Sequence, residues 1–118
     1  MSDRVQALPR LATSVWVAAL LRRTHARGAF GTIVRKGDAE SGAVILLQRA
    51  RDGGTTAWAR VAQGGASIWA TAAQSPPHNT ASVDDYLARQ ECYDPDLWIV
   101  ELVIDEIQLL VAEPSQIR

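Results

Sequence analysis

Asp94-Pro95-Asp96-Leu97-Trp98-Ile99-Val100-Glu101-Leu102-Val103-Ile104 is the stretch whose reading decides the fold. Two acids flank Pro95, whose ring disfavours helix at the residue before it and sets a turn or extended entry. Beyond the turn, the density of β-branched and aromatic residues reads as a strand. Alternation at period two puts Trp98, Val100, Leu102 and Ile104 on one face, and Leu97, Ile99, Glu101 and Val103 on the other. A strand apolar on both faces belongs inside a sheet that is covered on both sides. The segment is therefore expected to be the central strand of a small α+β domain.

Working upstream, Ser82 can cap a helix with Asp84 and Asp85 in its first turn, ending near Gln90 or Cys92, with Val83, Leu87 and Tyr86 on its buried face. Ala72–Thr80, containing Pro76-Pro77, reads as the longest irregular stretch. Before it lie four strand patterns: Phe30–Arg35, Ala43–Arg49, Thr55–Val61 and a shorter Ser67–Thr71. They are separated by the turn signals Gly37-Asp38-Ala39-Glu40-Ser41-Gly42, Asp52-Gly53-Gly54 and Gln63-Gly64-Gly65. Tight connections between consecutive strands imply an antiparallel meander. Thr13 or Ser14 can cap a first helix that runs to about Arg27, with Gly28 placed for a left-handed stop. Trp16, Val17, Leu20, Leu21 and Thr24 fall on one face of it. Residues 1–12, broken by Pro9, read as an entry arm, 13–104 as the domain, and 105–118 as a tail. Ile107, Leu110 and Val111 have helical spacing in that tail, which could equally extend the last strand. The expected order is α-β-β-β-(β)-α-β, an antiparallel sheet of four to five strands with two helices packed on it.

With 118 residues, 47% of them apolar and 21% charged, the chain supports one globular domain. Much of the apolar share is alanine, so the four tryptophans must fill a good part of the core. Residues 1–62 carry ten basic side chains against four acidic, a charge of +6. Residues 63–118 carry two against nine, a charge of −7. Either the two halves neutralise each other in the fold or the surface is dipolar. A single cysteine, Cys92, excludes an intrachain disulfide and suits a reducing cytoplasm. The opening Met-Ser-Asp-Arg-Val-Gln has no apolar core after its charge, so no secretory leader is expected. The longest apolar runs, Ser14–Leu21 and Leu97–Ile104, fall well short of the roughly 20 residues of a membrane span.

Leu11 with Trp16-Val17-Ala18-Ala19-Leu20-Leu21-Arg22-Arg23, then Val34-Arg35-Lys36-Gly37-Asp38 with Gly42, then Asp94-Pro95-Asp96-Leu97-Trp98-Ile99-Val100-Glu101 carry a resemblance. In that order they resemble a family of small uncharacterised alphaproteobacterial proteins, defined as a domain of unknown function. The resemblance spans about residues 10–103. It implies a cytoplasmic single-domain protein and brings no activity, cofactor or site residue with it. Similar proteins end soon after the last strand, so residues 104–118 depart from the pattern.

Chemistry-bearing residues are sparse. Asp94 and Asp96 could present paired carboxylates to a cation, but no third acid lies near them in sequence, and Asp and Pro are standard turn residues. Glu101, set among apolar residues, is either a buried acid or base with a raised pKa or the partner of an arginine; the second is the expectation, because buried acids are rarely left alone. His25 and His78 have no second ligand at metal spacing, so neither a metal nor a cofactor is expected. Cys92 sits near a helix C-terminus, where the dipole opposes a thiolate. Neither a phosphate-binding loop, a dinucleotide fingerprint nor a serine elbow occurs. Arg22, Arg23 and Arg27, with Arg35 and Lys36, form the one basic cluster. It reads either as a solvated helix end or as a site for an anionic ligand or partner. Nucleic-acid binding is disfavoured by the slightly acidic balance and the lack of interleaved aromatics.

The sequence thus predicts a cytoplasmic interaction or ligand-binding module without catalysis. Its partner would be an unknown protein or a small anionic ligand, and a homodimer through a sheet edge is open to it. The alternative is an enzyme for a small anionic substrate, with Glu101 or Asp94/Asp96 as acid or base. Weak nucleic-acid binding is the third reading.

Overall fold

A computed structural model describes residues 11–107 together with 110 and 111. Helix α1 (Thr13–Ala26) leads into strands β1 (Phe30–Arg35), β2 (Val44–Arg49), β3 (Thr55–Gln63) and β4 (Ala66–Ser75). Helix α2 (Ala81–Tyr93) and strand β5 (Trp98–Val103) follow. The five strands form one sheet in the order β1-β5-β2-β3-β4. The arm expected over residues 1–12 lies outside the described residues except for Leu11 and Ala12.

The α+β class and the two-helix arrangement hold, and the sheet is mostly antiparallel. One pairing differs from a plain meander. β5 inserts between β1 and β2, antiparallel to the first and parallel to the second, with Ile99 opposite Ile45 and Val100 opposite Leu46. The hairpin expected of β1 and β2 is therefore opened by a strand from the far end of the chain. Hydrophobicity explains the order. β5 is apolar on both faces and takes the most covered lane, whereas β1, with Phe30, Thr32, Ile33 and Val34 exposed, is left at the border.

The loop from β1 to β2 must pass around the start of β5, and it does so at close quarters. Asp38 N donates to Asp96 O at 3.0 Å, Trp98 N to Ala43 O at 2.8 Å, and the Trp98 indole Nε1 to Asp38 O at 2.8 Å. A Cβ at Gly37 or Gly42 would collide with the Asp96 carbonyl, so both glycines are required by the approach of two backbones.

Both faces of the sheet are covered, as the central strand demands. On one, Val17 and Leu20 of α1 pack with Leu46, Trp98, Val100 and Leu102. On the other, Val83 of α2 packs with Ile45, Leu47, Ala57, Leu97 and Ile99. Each large side chain fully buried in this way stabilises the fold by roughly 1.5–3 kcal/mol before entropy is counted. Ile107, Leu110 and Val111, assigned to the tail by sequence, are buried in the α1-side core. Their helical spacing is real, since Ile107 O accepts from Leu110 N at 2.9 Å and from Val111 N at 3.2 Å.

The helix starts are made differently from the expectation. Neither helix has a side-chain N-cap bond, and the flanking residues are Ala12 and Thr80 rather than Thr13 or Ser14 and Ser82. At α1 the β1–β2 loop supplies the acceptors: Thr13 N bonds Glu40 O at 3.2 Å and Ser14 N bonds Ala39 O at 2.9 Å. At α2 the buried Ser75 Oγ accepts from Val83 N at 3.0 Å. Asn79 Oδ1 also accepts from Ala81 N at 3.1 Å, so loop carbonyls at α1, and Ser75 and Asn79 at α2, satisfy first-turn donors that an N-cap side chain would otherwise serve. The stop of α1 is as expected, with Gly28 at φ 79°. β4 runs to Ser75, four residues past the expected end, because it pairs with β3 along its whole length and needs no alternating apolar pattern of its own.

Candidate functional site

The β2–β3 ladder closes at Leu46 opposite Trp58, yet β3 and β4 continue together to Gln63 opposite Ala66. A register shift on β4, between the partners of Ala57 and Trp58, lies at this point. A bulge bends the strands that carry it and increases their twist, so the β3–β4 ribbon swings away from β2 and the sheet forks.

The fork leaves main-chain groups without a ladder. Because Trp98 N bonds Ala43 O, the backbone groups of Ala43 and Ile45 are directed at β5. Val44 between them directs its N–H and C=O the other way, into the gap that β3 has vacated. A cleft of about 970 Å³ occupies this gap. Gly42, Ala43, Val44 and Ile45 form its floor, Thr13 and Trp16 of α1 with Ala59, Arg60 and Trp69 one wall, and Tyr86 and Gln90 of α2, with Asp94 just beyond the helix, its far end.

Its aromatic wall is built by two elements distant in sequence. Trp16 and Trp69 stack with centroids 5.9 Å apart and planes inclined by 24°. The Arg60 guanidinium lies over both rings, 5.1 Å from Trp69 and 5.9 Å from Trp16. Among the described residues, Trp69 Nε1 is the buried side-chain donor that finds no acceptor. At the far end, burial raises the Tyr86 hydroxyl above its ordinary pKa, and the charge of Arg89 pulls it partly back.

The residues singled out by sequence are dispersed. Arg22, Arg23 and Arg27 lie exposed at the end of α1, and Arg23 Nη2 donates to Leu110 O at 3.2 Å. Arg35 lies at the other end of β1, roughly 17 Å further on at about 3.3 Å per strand residue. There its Nη1 donates to Leu97 O at 2.7 Å and Pro95 O at 3.2 Å, and its Nε lies 3.8 Å from Glu91, so it braces the entry to β5. Lys36 follows it, exposed. The basic residues therefore do not converge on one point. Glu101 pairs with Arg49 at 2.6 Å, and Arg49 also reaches Thr55 Oγ1 at 3.4 Å. Asp94 accepts from Asp96 N at 3.0 Å, closing the turn around Pro95, and it also lines the cleft. Asp96 faces solvent. Cys92 and His78 are exposed, and His25 Nε2 lies 3.3 Å from Gly31 O.

The forked region leaves little trace in the sequence. Trp69 and Arg60 read as ordinary strand residues, and nothing local announces that β3 leaves β2 after Trp58. The available signal was the uncharged run Ile68–Ser75 beside a turn of two glycines, which marks a ribbon not fully committed to a core.

Taken together, the geometry defines a small α+β domain with a two-sided mixed sheet and a cleft at a fork in that sheet. The chain belongs to the family DUF1491, described as a protein of unknown function, whose model matches residues 11–112. The match extends past β5, so the segment to residue 112 is part of the family pattern and not the departure that the sequence resemblance suggested. A crystal structure of a DUF1491 family protein from Caulobacter crescentus is 35% identical, covers 82% of this chain and 91% of its own, and superposes with a TM-score of 0.71. The solution structure of an A. tumefaciens protein is 29% identical, covers 92% and 98%, and gives a TM-score of 0.74. These relatives come from alphaproteobacteria, as the resemblance implied. A comparison with curated proteins finds no match. Among the described residues no helix is long and apolar enough to cross a membrane.

Proposed function

We propose that this protein is a non-catalytic binding module of the cytoplasm whose ligand seats in the cleft at the fork. The observation that carries the reading is the open main-chain edge of Val44 facing the Trp16–Trp69 pair across a cleft of about 970 Å³. Sites of small ligands are concave, partly apolar and furnished with a few fixed polar groups, commonly in roughly 300–1,000 Å³. A small anionic ligand with a flat apolar body suits these walls: the body meets the tryptophans, an acceptor meets Val44 N–H, and the negative group lies toward Arg60.

The test uses indole-3-acetate and benzoate as probes in an amide and indole NMR titration. The expected result is shifts centred on the Val44 amide and the Trp69 indole, lost in a folded Trp69→Ala variant. Probes that leave both signals unmoved at millimolar concentration, or that bind Trp69→Ala as well, would sink the reading.

The enzyme reading keeps one supporting observation, that Asp94 lines the same cleft. Glu101 gives it less, being paired with Arg49 and not among the residues that line this cleft. Nucleic-acid binding is less well supported still, given the dispersal of the arginines. An Asp94→Asn variant with unchanged probe affinity and no altered turnover of any bound compound speaks for binding alone.

A further inference from the structure

Among the described residues, strand β1 borders the sheet and pairs with β5 alone. The direction of its backbone groups follows from the other side of β5. Trp98 N bonds Ala43 O, so Trp98, Val100 and Leu102 direct their main-chain groups to β2, and Ile99, Glu101 and Val103 direct theirs to β1. Thr32, opposite Glu101, and Phe30, opposite Val103, therefore spend their N–H and C=O on β5. Gly31 and Ile33 turn theirs outward. The position of His25 agrees: its Nε2 meets Gly31 O at 3.3 Å, from outside the ladder.

Native sheets protect such borders with charges, bulges, prolines or covering loops. Here the protection is thin. His25 shields one carbonyl, and a register shift between Ile33 and Arg35 ends the run. The side chains along the border are apolar and exposed, with Phe30 at 60%, Ile33 at 42% and Val34 at 53%. Charge frames them at both ends. Arg22 and Arg27 lie before β1 and Lys36 after it, and none of the three makes an ion pair among the described residues. Glu91 offsets only Arg35, at 3.8 Å.

We infer that β1 is a docking edge for an extended segment of a partner protein, apolar in its middle and acidic at both ends, which adds as a sixth strand through the outward groups of Gly31 and Ile33. Main-chain bonds supply the pairing, and the flanking cations select the partner. A second copy of this chain fits poorly. Self-pairing centred on Thr32 sets Lys36 of one copy opposite Gly28 of the other, beside Arg27, and like charges placed across strands repel. This surface is separate from the cleft at the fork, and its test reads different amides.

The probe is a blocked eight-residue peptide, EDITVTDE, titrated into the labelled protein, with KKITVTKK as its charge-reversed control. Amide shifts are expected at Gly31 and Ile33, with affinity falling by about tenfold or more for the lysine version and falling as salt rises. Ile33→Pro removes an outward N–H without touching the β5 ladder, so it should fold and lose the peptide. The paired reversal Arg27→Glu with Lys36→Glu, both on exposed positions, should reverse the peptide preference and keeps the proposal testable if Ile33→Pro fails to fold. His25→Ala should tighten binding, because the incoming strand no longer competes for Gly31 O. Peptide binding indifferent to its flanking charges would overturn the inference. So would shifts confined to Val44 and Trp69, or a concentration-dependent dimer in sedimentation that uses β1.

Discussion

Replacing Trp98 with alanine should come close to unfolding this domain. The ring is 2% exposed and packs against Val17, Leu20 and the C-terminal Leu110 in the α1-side core. Deleting a buried tryptophan costs about 3–5 kcal/mol in lost transfer and cavity terms. The indole N–H is also bonded to Asp38 O at 2.8 Å, and losing such a bond adds about 1 kcal/mol. Asp38 O keeps a second donor, Gly42 N at 3.2 Å, so it is not stranded and the penalty stays near that figure. The total is roughly 4–6 kcal/mol against the 5–15 kcal/mol typical of natural domains. Urea denaturation followed by far-ultraviolet circular dichroism measures it, with Trp98→Phe as the control that retains a ring but no N–H. Phe should lose noticeably less than Ala. A Trp98→Ala midpoint within about 1 kcal/mol of the parent would refute the assignment of β5 as the hub of the core.

Gly42→Ala should destabilise by about 1–3 kcal/mol, because the added Cβ meets the Asp96 carbonyl and the β1–β2 loop must shift off β5; a thermal melt reads it, and an unchanged melting temperature would show that the loop has room. Asp38 is held below its ordinary carboxyl value of 3.8, first by the Ser41 N–H; desolvation opposes it as the next largest influence, and the Glu40 N–H and the Ser41 hydroxyl add to the lowering. With the folded value below the unfolded one, its contribution is present above pH 3.8 and fades as pH falls through the folded value. An Asp38→Asn variant should therefore differ from the parent near neutral pH and converge with it in acid. Arg22→Glu should lower stability by about 1 kcal/mol or less, since an exposed charge at the end of α1 acts on the fold mainly through the helix dipole, and loss of a co-purifying anionic partner with the fold intact would place Arg22 in the charged frame of β1.

Much of this architecture is visible in residue order. The doubly apolar β5 announces a sheet covered on both sides, and α1 shows its stripe and its glycine stop. The pairing of Glu101 follows from the rule that an acid among apolar residues needs a cation, although Arg49 could be named only from the structure. Strand order is where local reasoning fails. Residues 30–49 read as a hairpin because their turn is rich in glycine, yet Gly37 and Gly42 serve the passage of another backbone rather than a tight reversal. Helix capping fails for the same reason: carbonyls of Ala39 and Glu40 stand where a side-chain cap was expected. The cleft is illegible because a fork is a missing ladder, and no residue encodes an absent partner. The dispersal of Arg22, Arg23, Arg27, Arg35 and Lys36 likewise depends on β1 holding the two groups apart.

The insertion of β5 between β1 and β2 also governs how the chain can assemble. During synthesis everything through α2 emerges before the strand that both cores require, so the nascent chain holds a sheet with an empty middle lane. Among the described strands β1 has no partner until β5 arrives, and α1 has little sheet to lie on. Folding must therefore wait for the last strand, and its central pairings join residues more than fifty positions apart. Chains of this topology fold slowly for their size. A ribosome stalled before Trp98 should carry a protease-sensitive chain, and one stalled well past Val111 a resistant one.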